Sequence, residues 1–175
     1  MSAARGSAIV LTVGLPHTMR RIRAAHDPMA GVGVPPHVTL LYPWVPGGDL
    51  TSALRAPLAA LAASHPPFGL TLDGVGRFDD TLYLAPSPIE PIRALITDLV
   101  AAFPAHPSYG GSIVVEKLVP HVTVASGVDG STMDRLDDSL RGDLPIQATI
   151  TSLVVIAEGE DGRWRTRWRV RLGGE

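Results

Sequence analysis

The sequence predicts an α+β domain of two similar lobes related by a pseudo-twofold axis. One tetrapeptide, Pro-His-Val-Thr, occurs at residues 36–39 and again at residues 120–123, and an aliphatic residue follows each copy. The order of strand-like and helix-like runs after the first copy recurs after the second, as in an internal repeat. No low-complexity linker divides the 175 residues. We therefore expect one domain over residues 1–175, with a motif strand at the centre of each lobe.

The first half of the chain has the pattern of a strand, a helix, the motif strand, a second helix and two further strands. Its first apolar run is too short to span a bilayer and is predicted as a strand. Pro16 begins the next run. Proline has no N–H, and the N–H of the first residue of a helix has no partner within the helix, so this proline favours the start of a helix. The predicted elements are strands at 8–14, 37–42, 68–76 and 81–85, helices at 16–26 and 49–64, a turn at 46–48 and a weaker turn at 79–80.

The second half repeats this order when the strand at 81–85 is also counted as its first strand, the counterpart of the one at 8–14. Pro88 begins a helix-like run, as Pro16 does in the first half. The tripeptide Glu160-Asp161-Gly162 is a good turn signal between the last two strands. The predicted elements are helices at 88–103 and 131–141, strands at 121–126, 146–157 and 163–172, and a turn at 127–130.

The composition is that of a soluble globular protein. Hydrophobic residues make up 45% of the chain and charged residues 18%, and the net charge is −2. Such a charge gives no overall attraction to nucleic acid or to anionic membranes, so any anion site must be local. The absence of cysteine excludes disulfides and cysteine-ligated metals and fits a reducing cytosol. We expect a cytoplasmic monomer that does not bind membranes.

Each motif presents an imidazole and a hydroxyl on one face of a strand. Side chains two positions apart in a strand point to the same face, so His37 lies beside Thr39 and His121 beside Thr123. A twofold axis would bring the two pairs together across a cleft. Core histidines are the alternative, but the duplicated hydroxyl argues against it. Zinc is another, yet no H-E-x-x-H pattern or close His/Asp pair supplies further ligands, so neither a metal nor a cofactor is predicted.

Two imidazoles suit the opening of a cyclic phosphodiester. One proton must leave the attacking water and another must reach the departing sugar oxygen, so one histidine has to be neutral and the other charged. The hydroxyls of Thr39 and Thr123 would stabilise the non-bridging oxygens, each by ~2 to 4 kcal/mol if well placed. A 5′-hydroxyl in place of water would give ligation without ATP, and no G-x-x-x-x-G-K-[ST] loop is present. The near-symmetry of the halves leaves open which histidine is the base.

The doubled H-x-T-aliphatic motif resembles that of the two-histidine (2H) phosphoesterase superfamily. Its bacterial 2′-5′ RNA ligase-like branch is the most similar in appearance, because the first motif runs on as H-V-T-L-L-Y-P-W over residues 37–44. The resemblance implies two antiparallel sheets flanking a central cleft, with helices outside. It also implies metal-free chemistry on 2′,3′-cyclic phosphates or other RNA phosphodiesters, carried out by His37, Thr39, His121 and Thr123.

Four more side chains are candidates for substrate binding. Tyr42 and Trp44 follow the first motif, share a face if the strand continues, and could stack on a nucleobase; packing in the core is the alternative. Phe78 follows Arg77 at a hairpin tip, where the family often has an aromatic residue near the cleft. An aromatic residue in a polar turn needs some partner surface.

The last predicted strand carries an arginine at every second position. Strand periodicity would place all five on one face of the sheet. That face is either solvated or a ridge that binds successive phosphates on the way to the cleft. The five residues are Arg163, Arg165, Arg167, Arg169 and Arg171.

These observations together predict an enzyme. We expect a metal-independent phosphoesterase that acts on a 2′,3′-cyclic phosphate or 2′-5′ phosphodiester at an RNA end or in a small nucleotide, with ATP-independent ligation as a related activity. An alternative from another class is an RNA- or nucleotide-binding module that uses the same cleft without turnover. A structural or interaction domain is a second alternative, and it would leave an exposed apolar patch. The intact doubled motif favours the enzyme.

Overall fold

The structure, a computed structural model, describes residues 6–173. Residues 1–5 and 174–175 of the predicted 1–175 domain lie outside the described residues, and the single-domain assignment stays a prediction. The strands are β1 (Ser7–Thr12), β2 (His37–Leu41), β3 (Phe68–Arg77), β4 (Thr81–Ser87), β5 (Val122–Ser126), β6 (Ile146–Ile150), β7 (Ser152–Glu158) and β8 (Trp164–Arg171). The α-helices are α1 (His17–His26), α2 (Pro28–Gly31), α3 (Ser52–Ala63), α4 (Glu90–Ala102) and α5 (Gly130–Arg141).

Short helical turns account for most differences from the predicted elements. The helix predicted from residue 49 begins at Ser52, because Gly47–Asp49 forms a 3-10 turn and Thr51 is extended, with φ −112° and ψ 162°. Helix α2 was not predicted; Asp27 caps it by accepting a hydrogen bond from the Met29 N–H at 3.0 Å. Two further 3-10 turns, Ser108–Gly111 and Val115–Lys117, lie between α4 and β5.

The strands form one antiparallel sheet rather than the two predicted sheets. Their order is β6-β3-β4-β5-β2-β1-β7-β8. The two motif strands, β2 and β5, are neighbours at its centre, and a single residue pair, Val38 with Val122, joins them. The expectation of two separate sheets is therefore corrected. The duplication of the fold by a pseudo-twofold axis stays a prediction.

The predicted strand at 146–157 is in fact two strands at different places in the sheet. It breaks at Thr151, so that β6 pairs with β3 at one edge. Strand β7 pairs instead with β1 and β8, on the other side of the sheet centre. Residues 146–157 contain no glycine or proline, so no turn signal marks the crossover at Thr151.

Both faces of the sheet are covered near β1 and β7. On one face the helices enclose the main core, to which β7 contributes Leu153 and Val155. On the other face Val154 and Ile156 belong to a smaller cluster. Val34, in the segment after α2, packs over that cluster. Burial of both faces explains why β7 is an uninterrupted apolar run instead of an alternating one.

A β-bulge in β8 separates the arginines that strand periodicity would have placed together. Thr166 pairs with Ile156, but Trp168 pairs with Val155, so Arg167 is the extra residue of the bulge. Arg165 and Arg169 consequently point to opposite faces of the sheet. The prediction of a single cationic face is wrong.

The helices of the described residues remain short. The longest, α4, has 13 residues. None of the helices within residues 6–173 combines the length and apolar character needed to cross a membrane.

Candidate active site

Both motifs line one cleft of about 650 Å³. Strands β2 and β5 form its floor, and their antiparallel register about Val38 and Val122 places His37 across from Thr123 and Thr39 across from His121. All four of these side chains reach the cleft and are partly exposed. The fold therefore brings together the four residues that the sequence singled out as catalytic.

The two imidazoles are oriented in the same way. His37 Nδ1 lies 2.7 Å from the carbonyl oxygen of Pro35, and His121 Nδ1 lies 2.7 Å from that of Val119. A carbonyl oxygen only accepts, so each Nδ1 carries the hydrogen. Each Nε2 is consequently the nitrogen that can take up or release a proton.

His37 is held more closely than His121. Its Nε2 lies 3.1 Å from Thr39 Oγ1, so the Thr39 hydroxyl donates to the neutral ring. Burial lowers the pKa of His37, and the nearby charges of Arg23 and His121 lower it further, against the raising effects of Pro35 and Asp27. His37 is therefore neutral near pH 7. No bond joins His121 Nε2 to Thr123 among the described residues.

Tyr109 extends the network beyond Thr39. Its hydroxyl bonds to Thr39, and burial raises the pKa of Tyr109 while that bond opposes the rise. The backbone of Tyr109 is left-handed, with φ 51° and ψ 37°, which is uncommon outside glycine. Its amide donates to the Tyr42 carbonyl at 2.7 Å. These constraints fix a phenol at the edge of the motif side chains.

An aromatic cluster flanks His121 on the β4 side of the cleft. Phe78 stacks on Tyr83 at 4.5 Å between ring centroids, and its ring lies edge-on to His121 at 5.1 Å. Tyr83 lies across Gly76 so closely that a Cβ there would be 2.3 Å from the Tyr83 ring. Gly76 thus makes room for the ring that supports Phe78 and His121.

A second aromatic pair lies on the β1 side. Tyr42 and Trp164 have their ring centroids 6.4 Å apart, and both line the cleft. Tyr42 directly follows β2, and the Trp164 amide donates to the Val32 carbonyl at 2.8 Å, in the segment that covers this face. The cleft therefore has an aromatic wall on each side of the motif strands.

Few charged groups face the cleft. Apart from the histidines, Asp27 and Lys117 are the charged side chains of the described residues that line it. The Asp27 carboxylate pairs with the buried Arg23 guanidinium at 2.9 Å, so the two charges offset each other. Lys117 is then the cation available to a bound anion.

The four predicted substrate-binding residues have different outcomes. Tyr42 and Phe78 line the cleft. The prediction is wrong for Trp44, which is 3% exposed and packs against Phe103 and Trp168 in the core, because β2 ends at Leu41 and its alternation does not continue. Arg77 is also absent from the cleft lining.

Arg77 does not line the cleft because two carboxylates of α5 hold its guanidinium. Arg77 Nη1 lies 2.7 Å from Asp134, and Nη2 lies 3.0 Å from Asp137. The side chain is directed to the helix, and the ion pairs tie the β3–β4 hairpin to α5. Its neighbour Phe78 is the residue of this turn that reaches the cleft.

Sequence analysis missed several cleft residues. Tyr109 and Lys117 lie in an irregular segment with no motif, although Lys117 is the one lysine of the chain. Trp164 lines the cleft from a strand whose periodicity is interrupted by a bulge. Tyr83, which packs on Phe78 and His121 behind the cleft, also lies beside a register shift, in β4. The described residues include no group of three or more His, Cys, Asp or Glu side chains arranged to hold a metal.

Comparisons with known proteins agree with this geometry. The family model described as "2'-5' RNA ligase superfamily" matches residues 13–162. A Geobacillus kaustophilus (strain HTA426) protein named "Putative phosphoesterase GK0864" is 23% identical over 147 residues, which cover 81% of each chain. Among solved structures, TT0787 of Thermus thermophilus matches with a TM-score of 0.57 at 19% identity, over 98% of this chain and 99% of its own.

A second solved structure is similar over nearly its whole length. E. coli LigT complexed with ATP matches with a TM-score of 0.51 at 19% identity, covering 95% of this chain and 98% of its own. At this identity the two structures establish a shared fold and nothing finer.

Proposed function

The chain belongs to the 2′-5′ RNA ligase superfamily, and we propose on that premise that it is a phosphoesterase of RNA or small nucleotides. The resemblance predicted from the doubled motif is confirmed. The proposed substrate is a 2′,3′-cyclic phosphate or a 2′-5′ phosphodiester, and the proposed reaction uses no metal. A cytoplasmic location and a monomeric state are part of the same proposal.

One observation carries the proposal: two histidines face a common cleft with their Nδ1 atoms bonded to carbonyl groups. This arrangement supports an acid and a base that act through Nε2 on the same phosphate. In hydrolysis of a cyclic phosphate, water attacks phosphorus while the bond to O2′ or O3′ breaks. The base accepts a proton from the water, and the acid gives one to the departing sugar oxygen, so the two histidines exchange protonation states.

The lowered pKa of His37 supports its assignment as the base. A partly buried imidazole near the Arg23 charge is neutral near pH 7 and can accept a proton at once. His121 then supplies the proton to the leaving oxygen. The sequence alone left this choice open.

Hydroxyl groups and one cation complete the proposed machinery. Thr123 is free to donate to a non-bridging oxygen, whereas Thr39 must first turn its hydroxyl from His37 to the phosphate. Lys117 balances the phosphate charge. With a 5′-hydroxyl in place of water, the same groups would join two ends, and the energy of the cyclic phosphate would make ATP unnecessary.

A panel of substrates tests the proposal. The purified protein is incubated with 2′,3′-cyclic mononucleotides, oligoribonucleotides that end in a cyclic phosphate, and 2′-5′-linked oligonucleotides, and the products are identified. We expect a phosphomonoester or a cyclic phosphate as the product of at least one class. Tight binding of these compounds without any turnover would favour the alternative, a non-catalytic RNA- or nucleotide-binding module.

A further inference from the structure

Exposed apolar side chains are concentrated at the cleft. Seven large hydrophobic residues of the described chain are exposed, and six of them line the cleft. They are Met29, Tyr42, Phe78, Tyr109, Ile113 and Val119. The seventh, Val114, is 55% exposed and follows Ile113. Such a concentration marks a binding surface for an apolar or planar group.

These side chains lie on both sides of the catalytic residues. In the sheet order, β3 and β4 lie beyond β5, and the turn between them carries Phe78. Strands β1, β7 and β8 lie beyond β2, and on that side are Tyr42 and Trp164. A phosphorus atom between His37 and His121 would therefore have an aromatic surface on each side.

The charge of the cleft matches one phosphate. Lys117 is its single unpaired permanent cation among the described residues, since Asp27 and Arg23 neutralise each other. A groove that follows a nucleic-acid strand needs a series of cations along the backbone.

The arginines of β8 do not supply that series. Arg165 is bound to Asp161 through two bonds of 2.9 and 2.6 Å. Neighbouring strands pair Thr39 with Val10, Val10 with Val154, and Val154 with Arg169. Arg169 therefore lies three strands from Thr39, a distance of about 14 Å at the usual strand spacing. Those two valines are fully buried beneath the segment that contains Val34, which separates Arg169 from the cleft.

We infer that the ligand of this cleft is a short nucleotide with one phosphodiester and a base on each side, that is, a dinucleotide and not a longer strand. The inference rests on the proposed function and narrows it. One base stacks on Phe78, the other on the Tyr42 and Trp164 side, and Lys117 faces the phosphate between them. Nucleotides beyond these two extend into solvent and add no affinity.

Binding to uncleavable probes tests this inference. The probes are a 2′-O-methyl dinucleotide, the same compound with an abasic sugar at either position, and a 2′-O-methyl decamer, each titrated by calorimetry at several salt concentrations. Methylation blocks the neighbouring hydroxyl that could attack the phosphorus. Removing either base should weaken binding about 10-fold or more. A decamer offers nine overlapping two-nucleotide sites, so it should bind no more than about 10-fold tighter than the dinucleotide. For both probes, log Kd should change by about 0.7 per unit of log salt concentration, as for a single phosphate contact.

Two variants test which aromatic wall of the cleft binds each base, and two further variants serve as controls. Phe78→Ala should abolish the effect of removing one base, and Tyr42→Ala the effect of removing the other. Val114→Ala should change neither, because Val114 is exposed outside the cleft. Replacing Arg167 and Arg169 with Gln should leave decamer binding unchanged.

Other binding results would contradict the dinucleotide ligand. A decamer that binds 100-fold tighter with a salt slope of several units would overturn the inference, as would a dinucleotide that fails to bind or is indifferent to loss of its bases. Turnover of the substrate panel is measured in parallel. Absence of turnover together with base-dependent binding would defeat the proposed enzyme and still support the dinucleotide ligand.

Discussion

At the scale of residues, the two H-x-T motifs are alike in sequence and different in surroundings. Both histidines donate Nδ1–H to a carbonyl two residues earlier. His37 alone is bonded to its threonine, while His121 is surrounded by Phe78 and Tyr83. The surroundings of His37, and not the motif that it shares with His121, therefore lower its pKa.

Tyr109→Phe tests the hydrogen-bond chain from Tyr109 through Thr39 to His37. The change removes one hydroxyl and keeps the ring, so we expect kcat to fall about 10-fold, as for the loss of one hydrogen bond, with KM and the melting temperature little changed. Steady-state kinetics and thermal unfolding of the variant measure both effects. A loss of melting temperature with full activity of the folded protein would instead make Tyr109 a packing residue.

The pKa of His37 predicts a pH dependence of stability. Because the folded-state pKa lies below the unfolded value of 6.5, the unfolded chain binds more protons between those two values. The free energy of unfolding should therefore decline as pH falls from about 6.5 through the folded pKa. His37→Gln should flatten this decline, whereas His17→Gln, on an exposed side chain, should not. Urea unfolding between pH 5 and 8 gives the comparison, and equal slopes in all three proteins would contradict the assignment.

At the scale of elements, local signals predicted most helices and strands, and irregularities within strands decided the details. The Pro16 and Pro88 signals located the starts of α1 and α4 to within a few residues. The break at Thr151 and the bulge at Arg167 had no such signal, because both lie inside runs of suitable periodicity. A one-residue bulge reverses which face every later side chain occupies. Strand periodicity alone consequently misplaced the arginines.

Gly76→Ala tests whether β3 positions the aromatic cluster through a missing side chain. The new Cβ would lie 2.3 Å from the Tyr83 ring, so that ring and Phe78 must move. We expect about 1–3 kcal/mol of destabilisation and a lower kcat/KM, since His121 packs on both rings. Gly74→Ala is the matched control, because its Cβ would meet Ala85 at an ordinary 3.7 Å. Similar kinetics and stability for the two variants would show that the cluster tolerates the displacement.

At the scale of the whole molecule, the meeting of the four motif side chains in one cleft was predictable and much of the rest of the cleft lining was not. The doubled motif identified the four central side chains because strand alternation and a shared sheet place them together. Tyr109 and Lys117 come from the irregular segment between α4 and β5, whose position depends on long-range packing. Trp44 was assigned to the cleft because its alternation with Tyr42 was assumed to continue beyond Leu41.

Chelation tests the proposed metal independence of the whole enzyme. The imidazoles, hydroxyls and Lys117 of the cleft can supply the acid, the base and the charge stabilisation that the reaction requires. We therefore expect EDTA to leave the rate on the best substrate unchanged. Activity that disappears with EDTA and returns with Zn²⁺ or Mn²⁺ would require a different mechanism.

The central claim is that His37 and His121 act as one acid–base pair, and the rates of His37→Ala, His121→Ala and the double variant test it most directly. Each single variant should lose about 10²-fold to 10⁴-fold in kcat. The double variant should be little worse than the poorer single one, because groups that act as a unit are not additive. Melting temperatures measured on the same samples should remain close to that of the unaltered protein. Full activity of the folded fraction in either single variant would contradict the account.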